Sequence, residues 1–282
     1  MDINQPILGI DIGGTNIKAG ILRKGELSSI KSFPTPALEN TETIFKKIFD
    51  LISTYSSEEF HGIGIGVPGL VELSTGKILS INNIPSLINS NLKNYLETQT
   101  NLPVKINNDA NCFVMGAYRF GNLKHLNNVV GISLGTGLGA GIITNKNLYS
   151  GLNAAAGEWS AIPYLDKTFE DYCSSKFFSK EYNQTADKLA HLATKGENNA
   201  IEAFQQFGIH LAELIKHILY TLSPEGIILG GSISKSHNLF LDSLKCNLKN
   251  CLYPSLVENL TLHISDINEP GIIGAASLHH CK

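Results

Sequence analysis

The stretch Ile7-Leu8-Gly9-Ile10-Asp11-Ile12-Gly13-Gly14-Thr15-Asn16-Ile17-Lys18-Ala19-Gly20-Ile21 constrains the fold more than any other part of the chain. Apolar residues alternate on both sides of Gly13-Gly14, the pattern of a β-hairpin whose turn is expected to need positive φ at one or both glycines. Past the turn, Ile17, Ala19 and Ile21 share one strand face, and Asn16, Lys18 and Gly20 share the other. Asp11 therefore falls where the first strand ends. A carboxylate, bare glycine N–H groups, the Thr15 hydroxyl and the Lys18 ammonium converge on one tight turn, which suits a metal-bound polyphosphate. No helix follows the turn, so it is not a Walker loop. Taken alone, an ordinary glycine hairpin with a surface Asp and Lys accounts for the same residues.

A second copy changes the balance. Val129-Val130-Gly131-Ile132-Ser133-Leu134-Gly135-Thr136-Gly137-Leu138-Gly139-Ala140-Gly141-Ile142-Ile143 repeats the apolar strand, the glycine turn and the apolar return. Gly139 and Gly141 strip one face of the return strand, so that another group can approach its backbone. Two phosphate-type hairpins more than a hundred residues apart imply a duplicated domain closing on one nucleotide. The pattern resembles the superfamily of sugar kinases, heat-shock ATPases and actin.

The chain has 282 residues, 43% of them hydrophobic and 17% charged, enough for two domains of ordinary size. A net charge of −3 gives no electrostatic case for nucleic acid or an anionic membrane as partner. No basic N-terminal region with an apolar stretch behind it is present, and no apolar run approaches a membrane span, so a cytoplasmic protein is expected. Cys112, Cys173, Cys246, Cys251 and Cys281 form no C-x-x-C pair and are expected to be buried small hydrophobes rather than a disulfide framework.

Between the hairpins, Ile44, Ile48, Leu51, Ile52 and Tyr55 make one helical stripe from Thr41, with Asn40 or Thr41 as N-cap. Ile63, Ile65 and Val67 alternate with glycines in a strand ending at Pro68-Gly69; close packing accounts for the glycines within it, and substrate contact stays open for Gly69. A polar loop around Asn82 to Ser90, including Asn89, leads to an amphipathic piece at Leu92–Leu96. The strand Val104-Lys105-Ile106 then runs into Asn107-Asn108-Asp109-Ala110-Asn111 and a helix. So many polar residues at a strand-to-helix junction suggest function, although Asp109 could simply cap the helix. Further on, Asn198 to Leu222 reads as one long helix, and a helix from Gly231 to about Tyr253 precedes a strand, Leu260 to Ile264. His210 and His217 lie two turns apart on the long helix without a third ligand, which favours packing or surface roles.

The order Asp11-Ile-Gly-Gly-Thr, Gly66-Val-Pro-Gly69, Asn108-Asp-Ala-Asn111, Gly116-Ala-Tyr-Arg-Phe-Gly121, Leu134-Gly-Thr-Gly-Leu-Gly139, Ala156-Gly-Glu158 and Ile228-Leu-Gly-Gly231 resembles the ROK family of repressors, open reading frames and kinases. The resemblance implies an α/β, actin-like ATPase (ribonuclease H-like) fold of two duplicated lobes, with mixed sheets flanked by helices and an ATP-binding cleft between them. The smaller lobe would comprise 1–117 plus 268–282, and the larger 118–267 would carry the nucleotide site and a homodimer surface. The carry-over makes Asp109 the catalytic base. It gives sugar contacts to Asn108 and Glu158 and, by position, to Glu170; the loops at Gly69 and Asn89 add those two as further substrate residues. Gly13, Gly14, Thr15, Gly135, Thr136 and Gly137 would bind phosphates, Gly230 and Gly231 would lie beside adenosine, and Asp11 would hold Mg²⁺ through water. Lys18 would add charge near the phosphates or stand as a solvated strand lysine. The implied activity is ATP-dependent phosphorylation of a hexose or N-acetylhexosamine at a primary hydroxyl. The alternative is a sugar-binding sensor of the same family; the family's repressors carry a DNA-binding segment ahead of the kinase-like part, for which the stretch before Ile7 is too short.

One segment departs from that family. Most members place a His three residues after the equivalent of Glu158 and a cysteine cluster beyond it, together binding zinc. Here Ala161 stands at the His position and Tyr164-Leu165-Asp166-Lys167-Thr168-Phe169-Glu170 replaces the cluster. No zinc site is expected, and Tyr164, Phe169 and Tyr172 would have to hold the loop by packing. Glu170 aligns with the family's second sugar carboxylate, although an exposed Glu at a helix start explains it nearly as well. A zinc-specific chelator is accordingly expected to leave turnover unchanged, which a chelator titration of the assay checks directly.

Overall fold

The computed structural model describes residues 5–280. The described chain forms two compact units: one comprises the chain to Lys124, Gly141–Ala156 and the chain from Asp266; the other comprises His125–Ala140 and Gly157–Ser265. The lobe boundaries implied by the resemblance fall at 117/118 and 267/268, and this division falls at 124/125 and 265/266, with 141–156 in the first unit.

In the first unit, β1 (Ile7–Ile12), β2 (Asn16–Arg23) and β3 (Glu26–Pro34) form an antiparallel meander, followed by α1 (Thr41–Ser53) and β4 (Ile63–Val67). A small hairpin, β5 (Leu70–Glu72) and β6 (Lys77–Ser80), precedes α2 (Leu92–Thr100), β7 (Val104–Asn108) and α3 (Asp109–Phe120). The sheet order is β3-β2-β1-β4-β7, with β4 parallel to both β1 and β7. Asn40 caps α1, its side chain accepting the Thr43 N–H at 2.9 Å, and Ile44, Ile48, Leu51 and Ile52 are buried as the stripe requires.

The chain then forms β8 (Val129–Leu134), β9 (Leu138–Thr144) and β10 (Asn147–Tyr149), the short ribbon β11 (Pro163–Tyr164) with β12 (Lys167–Thr168), and the helices α4 (Phe169–Tyr172), α5 (Ser175–Glu181), α6 (Ala186–Thr194) and α7 (Asn198–Leu222). β13 (Gly226–Gly230), α8 (Leu241–Leu248), α9 (Pro254–Glu258) and β14 (Thr261–Ile264) follow, and α10 (Pro270–Ser277) returns to the first unit. The second sheet runs β10-β9-β8-β13-β14, with β8, β13 and β14 parallel. Both sheets thus have a meander on one side and two parallel strands on the other, the duplication that the paired hairpins implied. The long helix α7 matches its expected span and buries Phe204, Phe207, Leu211, Ile215 and Ile218. No described helix is long and apolar enough to cross a membrane.

The glycine-faced strands have a direct structural use. A Cβ on Gly9 would overlap the Ile272 carbonyl, one on Gly64 the Ala275 carbonyl, and one on Gly274 the Cys112 carbonyl. The bare strand face therefore admits the backbone of α10, and α3 seats against the same helix.

Three expectations are corrected. Neither Gly13 nor Gly14 has positive φ; their lack of a side chain serves clearance instead, since a Cβ would come within 2.9 Å of the Asn16 carbonyl oxygen at the first and of Asn83 Nδ2 at the second. The single helix expected after Gly231 is instead a 3₁₀ segment, Ile233–Leu239, then α8 and α9. Ser236, at φ −98° and ψ 25°, breaks it, in a stretch rich in serine and asparagine that favour local turns over helix. Cys246 is exposed, unlike the buried Cys112, Cys173 and Cys251; these four are free thiols, and Cys281 lies outside the described residues.

Because α10 can sit on β4 only without a Cβ in the way, Gly64→Ala is expected to cost about 1–3 kcal/mol as overpacking, read as a lowered urea midpoint at unchanged m-value. A shift below about 0.5 kcal/mol would show that α10 is not seated there.

Candidate active site

In the first unit the chemistry gathers at the ends of β1 and β7. Asp11 is the fifth residue of β1, paired in register with Lys18 of β2 and Gly66 of β4. The hairpin between β1 and β2 is closed by the Gly13 N–H donating to the Asn16 carbonyl at 3.0 Å. It is pinned from outside by Thr35, whose N–H donates to the Thr15 carbonyl at 2.8 Å and whose hydroxyl donates to the Gly13 carbonyl at 2.6 Å. Thr35 was not singled out in the sequence; its only signal is its place between Pro34 and Pro36 at the end of β3.

At the β7–α3 junction, Asn108 rather than Asp109 is the N-cap. Its Oδ1 accepts the N–H groups of Ala110 at 2.8 Å and Asn111 at 3.2 Å, and its Nδ2 donates to the Gly69 carbonyl at 3.1 Å. This removes the capping explanation for Asp109, which occupies the first helical position with Oδ1 accepting the Ala110 N–H at 2.9 Å. Behind it, the buried Asn111 donates to Asn107 Oδ1 at 3.0 Å, and Asn107 donates to Ser150 Oγ at 3.0 Å. These two asparagines, buried by the register of β7 and α3, make the junction rigid. Gly69 has φ +116°, where a side chain would be strained, and a Cβ there would overlap the Ser80 carbonyl. Asn89 is exposed at φ 64° with its N–H donating to the Ile78 carbonyl at 2.8 Å, so what the structure gives it is a turn.

The electrostatics of this unit centre on Asp11. Burial, then the negative charges of Asp109 and Glu269, push its carboxyl up to about 7, with Lys18 opposing. Glu269 arrives immediately before α10 and grips the Lys18 ammonium with both oxygens, at 2.7 and 2.9 Å. A Cβ on Gly271 would lie 2.5 Å from Asp11 Oδ2, so the start of α10 approaches the carboxylate through a glycine. Sequence spacing could not disclose Glu269, which lies 251 residues from Lys18.

In the second unit the hairpin Gly135-Thr136-Gly137 is closed by the Gly135 N–H donating to the Gly137 carbonyl at 3.1 Å. Gly231, at φ +86°, follows Gly230 at the end of β13, and a Cβ on it would overlap the Leu134 carbonyl; the buried Ser234 donates to the Gly231 carbonyl at 2.8 Å. Glu158 is exposed, with its head group partly desolvated; that desolvation raises its carboxyl, a contact with Ser160 lowers it, and Glu170 raises it. Glu170 lies in the first turn of α4. It is not the solvated helix-start residue of the simpler reading: it accepts the Leu138 N–H at 3.3 Å and is ion-paired with Lys176.

Aromatic packing holds the loop around α4. Tyr164 stacks on Phe169 at 4.4 Å and meets Tyr172 edge-on at 5.4 Å. Tyr172 donates its hydroxyl to Asp166, and the Tyr164 hydroxyl bonds His210 Nδ1 at 3.1 Å. His217 packs on Phe169 at 5.0 Å. Both histidines are therefore packing residues, and burial lowers the His210 pKa. Among the described residues no cluster of three or more His, Cys, Asp or Glu has the geometry of a metal cage.

The model of the ROK family matches residues 7–282, and the chain belongs to that family. It is 29% identical to a glucokinase of Halalkalibacterium halodurans, over 96% of this chain and 94% of that one. It is 32% identical to a xylose repressor of Bacillus spizizenii, over 93% of this chain and 73% of that one. A ROK family glucokinase from Streptomyces griseus, solved with glucose and AMPPNP, superimposes with a TM-score of 0.84 at 24% identity, covering 97% of this chain and 98% of that one. That likeness establishes the actin-like ATPase fold. The family thus holds both sugar kinases and repressors among this chain's relatives.

A carboxyl that ionises near pH 7 when folded and near 4 when unfolded binds more protons in the folded state across that window, so it lowers stability as pH rises from about 4 to 7. Asp11→Asn is therefore expected to raise the Tm of the ligand-free protein at pH 8 by roughly 2–6 °C and to leave it unchanged at pH 4. Thermal melts at the two pH values check this.

Proposed function

We propose that the chain transfers the γ-phosphoryl group of ATP to the primary hydroxyl of a hexose or N-acetylhexosamine, giving the sugar 6-phosphate, with Asp109 as general base. The observation that carries the reading is the β7–α3 junction. Asn108 does the capping and ties the junction to Gly69, while Asp109, freed from that duty, stands within charge-coupling range of Asp11. A carboxylate so placed can orient a hydroxyl and accept its proton as the bond to phosphorus forms, a contribution of about 10²–10⁴ in rate.

Phosphoryl transfer through a loose transition state depends on positioning and on neutralising charge. The turns Gly13-Gly14-Thr15 in one unit and Gly135-Thr136-Gly137 in the other would bind phosphate oxygens; the Gly13 and Gly135 N–H groups close the turns, so the N–H groups of Gly14, Thr15, Thr136 and Gly137 would make the contacts. Gly230 and Gly231 leave bare backbone for adenosine. Lys18 would supply positive charge. Asn108 and Glu158 would take sugar hydroxyls, with Gly69 shaping the loop beside Asn108, and Glu170 and Asn89 would complete the substrate contacts.

The acidic groups acting on Asp11 offer oxygen donors, and its carboxyl is raised by burial and then by the charges of Asp109 and Glu269, a cost that a divalent cation relieves. Asp11, a single buried carboxylate, would hold Mg²⁺ through water and substrate phosphates, and the ion would supply charge neutralisation of the phosphates. A homodimer is part of the proposal; Tyr220, Leu222, Leu252 and Tyr253 are exposed near the end of α7 and support self-association. A cytoplasmic location accords with the same reading.

The relationship to a xylose repressor keeps a second reading, a sugar-binding sensor without turnover. ADP release is measured with Mg²⁺-ATP across glucose, fructose, N-acetylglucosamine and N-acetylmannosamine, beside sugar binding by calorimetry. Turnover on at least one sugar is expected, with kcat falling about 10²-fold or more in Asp109→Asn while sugar still binds. Sugar binding by the native chain without any turnover would establish the sensor instead.

A further inference from the structure

The second hairpin has an occupant of its own. The segment running from α4 into α5 is fastened over it: the Ser175 N–H donates to the Gly135 carbonyl at 2.9 Å and the Ser175 hydroxyl to the Thr136 carbonyl at 3.3 Å. The Ser174 hydroxyl donates to the Glu170 carbonyl at 2.6 Å, which fixes the backbone from which the Glu170 side chain leaves. One Glu170 oxygen accepts the Leu138 N–H at 3.3 Å and lies 2.8 Å from where a Cβ on Gly137 would stand. The other holds the Lys176 ammonium. The hairpin amide thus already carries an anionic oxygen, and a cation stands one carboxylate away from it.

Folding stability does not account for this arrangement. The side chains of Lys176 and Glu170 are 44% and 30% exposed, a range in which an ion pair contributes about 0–1 kcal/mol. The first hairpin repeats the device with unrelated residues, Lys18 being held there by Glu269. In each unit a glycine hairpin, an acidic side chain and a lysine occur together.

We propose that Lys176 is a phosphate-binding residue of the second hairpin, whose ammonium bridges Glu170 and the polyphosphate of a nucleoside triphosphate. The proposal rests on the reading of that hairpin as a phosphate cradle. Its logic is one of charge: a polyphosphate at this hairpin meets the Glu170 carboxylate, and the lysine between them converts a repulsion into two attractions. Removing the ammonium then does double harm, losing a phosphate contact and exposing the phosphates to an uncompensated carboxylate. Adenosine, without phosphates, is indifferent to the change.

The test is calorimetric titration of the full chain with AMP-PNP and Mg²⁺, and separately with adenosine, for the native chain, Lys176→Met, Lys176→Arg and Lys176→Met/Glu170→Gln. Lys176→Met is expected to weaken AMP-PNP about 10-fold or more with adenosine unchanged; Lys176→Arg, which keeps the charge, is expected to lose less than Lys176→Met. Removing the orphaned carboxylate in the double variant is expected to recover several-fold of the loss. AMP-PNP affinity of Lys176→Met within about 2-fold of native, or adenosine weakened in proportion, overturns the role of Lys176. A native chain that binds neither compound overturns instead the nucleotide reading beneath it.

Discussion

The rest of the first unit depends on burying the Asp11 carboxyl within reach of two other negative charges. Burial first, and then the charges of Asp109 and Glu269, raise the Asp11 carboxyl to about 7, with Lys18 opposing. The backbone brings them there through absent side chains. Bare faces at Gly9 and Gly64 let α10 lie on β1 and β4, Gly271 lets its first turn reach Asp11, and Glu269, at φ 50° just before that turn, swings onto Lys18. A cluster of this kind costs stability in the ligand-free protein and is relieved by positive charge. Strand glycines that serve only packing, and carboxylates that serve only binding, are thus parts of one arrangement.

The second unit solves a different problem. Around α4 the chain carries a knot of Tyr164, Phe169, Tyr172, His210 and His217. Stacked and edge-on aromatic pairs of this type contribute about 0.5–1.5 kcal/mol each beyond their burial, enough in sum to fix a short loop. The knot places Glu170 at the start of α4, from which it reaches the Leu138 amide and Lys176. The loop's architecture and the chemistry at the second hairpin are therefore coupled through one residue.

Much of this was legible in the sequence because it is written in short-range pattern. The β1–β2 hairpin follows from strict alternation, α1 from a stripe with Asn40 before it, and α7 from a long apolar face ended by Ser223-Pro224. The junction at Asn107 to Asn111 was recognisable as a site from its polarity, but the division of labour between Asn108 and Asp109 required the hydrogen bonds. Glu269, Thr35 and Lys176 were not legible as partners of the hairpins, since nothing in local spacing tells which distant residue a lysine or a turn carbonyl will meet. The stretch after Gly231 misled because its apolar residues fit a helix while its serines and asparagines favour turns, and the latter prevail around Ser236.

Phosphorus NMR of the protein with Mg²⁺-ATP and an equimolar mixture of glucose, N-acetylglucosamine and N-acetylmannosamine addresses the central claim most directly. The account predicts that the γ-phosphate signal is replaced by a phosphomonoester resonance split into a triplet by two protons, the signature of a phosphate on a CH₂OH carbon. Loss of the γ signal to inorganic phosphate alone, a doublet from a secondary hydroxyl, or an unchanged γ signal in a protein that binds sugar would contradict it.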